Sequence, residues 1–288
     1  MGYCWQLKIL SKSFFLILIL GLIPQIGSSQ SLFNPDVQLN RKGDIFLSWG
    51  WNRGWYTNSD IHFKGADYNF ELKNVKAYDR QSPFEPEVYF GPKMLTIPQF
   101  NFRAGFFPKK NYSVSVGTDH MKYKVKQFQY AKISGTIDTP NSGFEGVYDN
   151  DQVLLDNTFL LFEHTDGLNY LNVELRRMDG LMSLGNFNLD ITEGVGVGAL
   201  LPRTNSTLLG KERHDEFHLA GYGVNALLGA HLSFLRHFFV QAEFKGGFMH
   251  LPDIRTTPSP EDKASQHFMF FQMNYGIGLS FNLGKRAS

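Results

Sequence analysis

Long stretches of this chain alternate residue by residue between apolar and polar or small side chains. The clearest stretch runs from Phe271 to Leu283, where aromatic and aliphatic residues occupy one register and Gln, Asn, Gly and Ser the other. Residues 220–232 and 238–248 follow the same pattern with few exceptions. Successive side chains of a β-strand point to opposite faces, so the alternation predicts strands with one apolar face. We therefore expect an all-β, antiparallel fold.

The length of these runs favours a membrane barrel over a soluble β protein. They extend over about ten to fifteen residues, whereas strands of soluble proteins commonly have five or six and a tilted membrane strand needs about nine to eleven. The polar register carries Gly, Asn, Gln and charges of both signs, which suits a hydrated interior. Aromatic residues collect near run ends, where the lipid headgroups of a membrane would lie; they include Trp49, Trp51, Trp55 and Tyr56. A soluble periplasmic lipid-binding barrel, with its apolar register inward, is the alternative.

The first thirty residues have the three parts of a secretory signal. Lys8 and Lys12 precede the apolar run 14–23, and small residues follow at 27–29. The apolar run is too short for a membrane helix, which needs about twenty residues. The sequence therefore predicts a signal peptide at 1–29 and one outer-membrane barrel domain at 30–288. Cys4, the chain's one cysteine, lies in the predicted signal peptide, so neither a disulfide framework nor a thiolate metal site is expected.

Strand counting gives ten barrel strands. The count assumes an even number of strands, short periplasmic turns such as 108–111 and long external loops such as 251–267. The predicted strands are 45–58, 98–108, 112–124, 126–138, 154–164, 168–178, 186–199, 215–233, 236–250 and 268–283. A further strand at 68–78, paired with a partner near 88–95, would raise the count to twelve. The sequence leaves both counts open.

The predicted signal peptide, the opening strand Ile45–Tyr56, the segment Ser59–Gly65 after it and the aromatic-rich closing strand resemble outer-membrane β-barrel proteins of the Bacteroidetes type. The resemblance covers nearly the whole predicted mature chain. It implies a location in the bacterial outer membrane, contact with outer-membrane lipid and insertion by the barrel-assembly machinery.

The segment Glu163–Asn169 is the sharpest candidate for chemistry. His164 could act as a general base, with Thr165 as a hydroxyl nucleophile and Asp166 as a carboxylate beside it. Asp166 and Gly167 form a favoured hairpin pair, so we expect the segment at a tight external turn. Outer-membrane lipid A deacylases are similar in kind, with a His and a nearby Ser on a barrel strand. We favour a structural turn here and keep an ester hydrolase acting on lipid A or phospholipid as the alternative function.

Charged residues in the polar register are expected to line the barrel interior. Because a narrow barrel is filled by its side chains, we favour a structural plug of ion pairs over a selective pore. The expected lumen residues are Arg103, Asp119, Glu174, Arg176, Glu243 and Lys245, with Asp190 a further candidate.

No motif predicts a cofactor or a metal site. Asp119 and His120 are adjacent in a strand and so point to opposite faces, and His62 has only Asp60 nearby. The 28 basic and 27 acidic residues nearly balance, so a nucleic-acid partner is not expected. The leading hypothesis is a non-enzymatic envelope barrel that is either structural or a narrow passage for small solutes.

Overall fold

The computed structural model describes residues 39–91, 93–94 and 97–282. The predicted signal peptide at 1–29 lies outside this range. Within it the chain forms one sheet of fourteen strands and a short helix. The elements are β1 (Asp44–Tyr56), β2 (Ser59–Lys64), β3 (Tyr68–Val75), β4 (Ala77–Tyr78), α1 (Pro86–Phe90), β5 (Phe100–Phe106), β6 (Tyr112–Val125), β7 (Gln129–Ile137), β8 (Gly146–Leu155), β9 (Leu160–Leu184), β10 (Phe187–Leu208), β11 (His214–Phe217), β12 (Gly221–Phe234), β13 (Phe238–Arg255) and β14 (Lys263–Asn282).

Eight of these strands pair antiparallel in the order β1–β5–β6–β9–β10–β12–β13–β14. The last strand also pairs with the first, in a register that runs from Asp44 opposite Asn282 to Tyr56 opposite Phe270. Every member of this ring therefore has a partner on both sides. A ring leaves no unpaired backbone edge, which is the condition a β-structure must meet in lipid.

The remaining strands lie beyond one end of the ring. Past its pairing with β1, β14 pairs with β2, which begins a sheet in the order β2–β3–β7–β8. We call these four strands the outer sheet and this end of the ring the sheet end. The opposite end, the turn end, has the three short connections 107–111, 185–186 and 235–237. Within the described residues, no helix is long and apolar enough to cross a membrane.

The strand count differs from both expected values, ten and twelve. The stretch 126–138 contains β7, which belongs to the outer sheet, and the stretches 154–164 and 168–178 contribute to one continuous strand, β9. The hairpin expected at Asp166 and Gly167 is instead a β-bulge. The register with β6 jumps from Leu168 to His164 across this segment, and Gly167 has a φ of +131°. Residues 68–75 do form a strand, but it pairs with β2 and β7, while 86–90 is helical.

The alternating register places apolar side chains on the outside of the ring. Each ring strand contributes exposed apolar residues to a continuous belt. They include Leu47, Phe102, Phe106, Val114, Val116, Leu171, Val173, Leu175, Val195, Val197, Val224, Leu228, Phe238, Val240, Phe244, Phe271, Tyr275, Ile277 and Phe281. The opposite register faces the interior, and its polar members there are buried.

Candidate functional site

A charged cluster fills the interior of the ring. Its three cations are Arg103, Arg176 and Lys245, and its three anions are Asp119, Glu174 and Glu243. These are the six residues that the alternation assigns to the lumen, and all six side chains are almost completely buried. They come from β5, β6, β9 and β13, four strands distributed around the ring.

Glu174 is the centre of the cluster. Its Oε1 lies 2.8 Å from Nζ of Lys245 and 3.1 Å from Nη2 of Arg103, and its Oε2 lies 2.6 Å from Nη2 of Arg176. Lys245 also contacts Oδ2 of Asp119 at 2.6 Å, and Arg176 contacts Oε1 of Glu243 at 2.5 Å. Each charge thus has an opposite charge in contact, which is the arrangement that makes burial of charges tolerable.

Neutral side chains complete the cluster. Arg103 donates to Oδ1 of Asn172 at 2.7 Å, and the amide of Asn172 donates to Asp119 at 3.1 Å. Asn225 donates to Glu174 at 3.3 Å and accepts from the hydroxyl of Tyr170 at 2.9 Å. Asn172 and Asn225 are not among the expected lumen residues, because only the charged members of the polar register were singled out. The sequence does indicate that both asparagines face the lumen, because each lies in the inward register two residues from a charged or small residue.

Little space is left inside the ring. A cavity bordered by Arg103, Asp119, Arg176, Glu243 and Lys245 measures about 20 Å³. One water molecule needs about 10 to 15 Å³ on this measure. An eight-stranded barrel has an interior just wide enough for side chains to fill, and this one is filled by ion pairs.

A second polar group lies at the turn end. Arg41 and Asp190 form an ion pair of 2.6 Å, and His231 lies 3.4 Å from the same carboxylate oxygen. A cavity of about 160 Å³ adjoins this group. Arg176 and Gln241 line both this cavity and the small lumen cavity, so the two cavities are neighbours. Asp190 therefore faces the interior but belongs to this separate group.

The structure does not bring His164, Thr165 and Asp166 together. His164 is fully buried, and Thr165 follows it on the strand and donates to Glu163 at 3.1 Å. Asp166 is half exposed and pairs with Arg203 at 3.2 Å. Because the three residues continue a strand through a bulge and do not form a turn, their side chains diverge.

His164 lies in a closed aromatic and polar environment. Its Nδ1 is 3.0 Å from Oγ1 of Thr204, and its ring packs against Tyr123 and Phe162. Burial lowers the pKa of His164 to about 3, so the ring is neutral at pH 7. A buried imidazole enclosed by Thr204, Tyr123 and Phe162 is typical of a structural histidine.

The acid–imidazole pairs of the sequence are also separated. Asp119 belongs to the lumen cluster, whereas His120 lies 2.8 Å from Asn169 and stacks on Phe100. His62 contacts Asn69 at 2.7 Å. In the part of the chain that the structure describes, no group of three His, Cys, Asp or Glu side chains is placed to bind a metal ion.

No protein-family model matches the sequence, and no curated protein matches it. Among solved structures, the chain is similar to the solid-state NMR structure of the outer membrane protein AlkL in DMPC lipid bilayers. The TM-score is 0.40 and the identity 12%, with 86% of this chain and 95% of that chain covered. Neisserial surface protein A gives a TM-score of 0.34 at 8% identity, covering 83% of this chain and 100% of that chain. The attachment invasion locus protein Ail of Yersinia pestis gives 0.30 at 10% identity, covering 83% and 99%.

The exposed apolar belt indicates that the ring spans a lipid bilayer. A ring of paired strands with apolar residues outside and charged residues inside is stable in lipid and would expose a large apolar surface in water. The paired length of β1 and β14, thirteen residues from Asp44 to Tyr56, exceeds the roughly nine to eleven residues that a tilted strand needs to cross the hydrocarbon layer.

Proposed function

We propose that this protein is a non-enzymatic, closed outer-membrane barrel that anchors the outer sheet at the cell surface. The carrying observation is the lumen cluster, in which three cations and three anions contact one another and leave a cavity of about 20 Å³. A solute would have to displace these ion pairs, and separating a buried pair costs about 3 to 5 kcal/mol.

An apolar layer supports the same conclusion. Beyond the cluster, toward the sheet end, the interior is filled by a core in which Tyr170, Met249, Phe268 and Phe270 are buried. The same buried cluster extends into the outer sheet, where it includes Phe63 of β2. An ion leaving the charged cluster in this direction would enter an apolar medium, which is strongly unfavourable.

The two ends of the ring differ as the two ends of an outer-membrane barrel do. Short turns are typical of the periplasmic side and long connections of the external side. We therefore infer that the turn end faces the periplasm and that the outer sheet faces the medium. Insertion by the barrel-assembly machinery and membership of the Bacteroidetes type stay predictions of the sequence resemblance.

Cysteine labelling on intact cells tests this orientation. The one cysteine, Cys4, lies in the predicted signal peptide, so an introduced cysteine would be the only one in the mature chain. We expect a membrane-impermeant maleimide to label Val147→Cys on β8 and to leave Asn186→Cys, in a turn-end connection, unlabelled until the cells are broken. The reverse pattern would contradict the orientation.

Single-channel recording in planar bilayers tests the closed lumen. We expect no discrete current steps from the wild-type protein under conditions in which a porin conducts. The double variant Arg176→Ala with Glu243→Ala removes one charge of each sign and truncates a side chain that lines both cavities. Steady conductance by the wild type would overturn the proposal in favour of a small-solute passage. A conducting double variant would identify the ion cluster as the barrier and would contradict the apolar layer as a second one.

A further inference from the structure

An open groove on the outer sheet is bordered by lysine and aromatic side chains. It lies where the end of β3 meets the connection from β6 to β7, and it measures about 450 Å³. Its lining residues fall within 73–76 and 126–132 and include four lysines and no acidic residue. This is a strongly one-signed surface on a chain whose overall charge is close to zero.

Three of the four lysines are exposed and carry unneutralised charge. In the described ranges no ion pair involves Lys76, Lys126 or Lys132, whereas Lys73 at the edge pairs with Asp60 and Glu71. Lys73 and Lys132 are directly opposite each other on β3 and β7. Because Lys73 is paired with carboxylates, the unpaired charge of this cross-strand pair is that of Lys132.

Two aromatic rings stand between the lysines. Phe128 is 73% exposed and Tyr130 is 69% exposed. Phe128 also has a φ of +57°, a left-handed conformation that is unusual for a bulky residue and is often found where function requires it. A turn of glycine or asparagine would form the same connection without presenting a large apolar ring to water.

The side chain of Gln129 fixes the two sides of the groove relative to each other. Its Oε1 accepts from the backbone N–H of Lys76 at 3.0 Å, and its Nε2 donates to the carbonyls of Lys76 and Lys126 at 2.9 and 2.8 Å. The backbone that carries two of the lysines is thereby joined by one amide. A preorganised surface loses less entropy when it binds a partner.

The groove is distant from the lipid belt. Val116 is the last strongly exposed apolar residue of the belt on β6, and Lys126 follows it by ten residues, roughly 30 Å of extended strand. The groove faces the medium if the outer sheet does, and in that respect the inference rests on the proposed function.

The geometry points to an acidic polysaccharide in the medium as the ligand of this groove. Its carboxylate or sulfate groups pair with Lys76, Lys126 and Lys132, whose ammonium groups act as point charges for such anions. Its sugar rings lie against Phe128 and Tyr130, because the electron-rich face of an aromatic ring attracts the C–H groups of a sugar. An uncharged glycan has no counterpart for the lysines, and a peptide of aspartate and glutamate alone has none for the pair of flat rings.

The test measures binding of a sulfated oligosaccharide to the full-length mature protein in nanodiscs of neutral lipid. We expect saturable binding that weakens as salt rises, because salt screens exposed charges. The triple variant Lys76→Gln, Lys126→Gln, Lys132→Gln should bind about tenfold more weakly, since each exposed ion contact contributes a factor of a few. Phe128→Ser with Tyr130→Ser should also weaken binding. The triple variant Lys42→Gln, Lys109→Gln, Lys110→Gln, which removes three exposed charges at the turn end, is the matched control and should bind as the wild type does.

Several results would overturn the inference. They are equal affinity of the wild type and the triple variant, equal affinity for the desulfated oligosaccharide, or binding confined to lipopolysaccharide or to an acidic peptide. All the substitutions are at exposed positions, and circular dichroism of each variant checks that it is folded. The assay does not depend on conductance, so a non-conducting barrel without glycan binding would refute this inference alone and leave the closed anchor intact.

Discussion

Strands such as β6 run through both the membrane ring and the region beyond its sheet end. The apolar and polar faces of these strands are exchanged between the two regions. Along β6, Ser113 and Ser115 face the interior of the ring while Val114 and Val116 are exposed outside. Further along the same strand, Tyr123 and Val125 are buried inside while Lys124 lies on the outer side. The backbone register continues and the chemistry of its two faces is exchanged.

The closing strand repeats this exchange. Gln272 and Asn274 of β14 face the interior of the ring, and Phe268 and Phe270 occupy the same register in the apolar core beyond it. Alternation therefore defines the two faces of a strand but does not say whether lipid or water surrounds them. Where the inward residues are polar, lipid lies outside, and where they are apolar, water does. The change of polarity therefore marks the edge of the membrane at the sheet end.

The largest effect is expected from a single change in the charged interior. Glu174→Gln keeps the shape of the side chain but leaves Arg103, Arg176 and Lys245 without their shared anion. We expect the free energy of unfolding to fall by about 5 kcal/mol, the upper end for breaking a buried ion pair. Denaturant titration in detergent micelles measures it. Lys263→Gln, which removes a half-exposed partner of Asp253 beyond the ring, should cost less than about 1 kcal/mol.

Two adjacent phenylalanines of β14 lie on opposite faces of the sheet. Phe270 is fully buried in the apolar core and Phe271 is exposed on the belt. Phe270→Ala creates a cavity and should lower the free energy of unfolding by about 4 kcal/mol. Phe271→Ala loses lipid contact without leaving a cavity and should cost about 2 kcal/mol or less. Equal losses in the same micelle titration would contradict the assignment of the two faces.

A charge placed on each outer surface separates lipid from water directly. Ile277 is 55% exposed near the middle of the belt, and Val147 is 82% exposed on the outer sheet. Ile277→Arg should lower the free energy of unfolding in lipid bilayers by about 3 kcal/mol, because the guanidinium enters the hydrocarbon. Val147→Arg should change it by no more than about 0.5 kcal/mol. A similar tolerance at both positions would show that the belt does not face lipid.

The ring and the outer sheet also differ in how far they could be predicted from the sequence. Alternation over β12, β13 and β14 predicts the ring strands, and charge within the inward register predicts the residues that meet at Glu174. The alternation does not distinguish the strands of the ring from those of the outer sheet. Residues 129–137 alternate with the same period, although water lies on their outer side. The pair Asp166 and Gly167 is compatible with a hairpin and with a bulge, and only pairing of β9 with both β6 and β10 decides between them.

The lysine groove could not be predicted because it depends on tertiary structure. Its residues come from two segments about fifty positions apart, and they meet only because β3 pairs with β7. The short sequence Lys126-Gln127-Phe128-Gln129-Tyr130 does contain a signal. Its aromatic residues alternate with glutamines at a strand end, where an apolar core would not require them.

The smallest predicted effect concerns pH and again distinguishes the two regions. His164 lies in the core beyond the ring, where burial lowers its pKa to about 3, against an ordinary value of about 6.5. Between these values the unfolded chain binds a proton that the folded chain does not, so the contribution is complete above pH 6.5 and is lost as pH falls. At pH 4.5 the loss attributable to His164 should be roughly 2 to 3 kcal/mol relative to pH 7.5. His164→Gln should remove that part of the pH dependence in micelle titrations at the two pH values. An unchanged slope would mean that the ring of His164 is hydrated, and the apolar core would then not exclude water at this level of the strands.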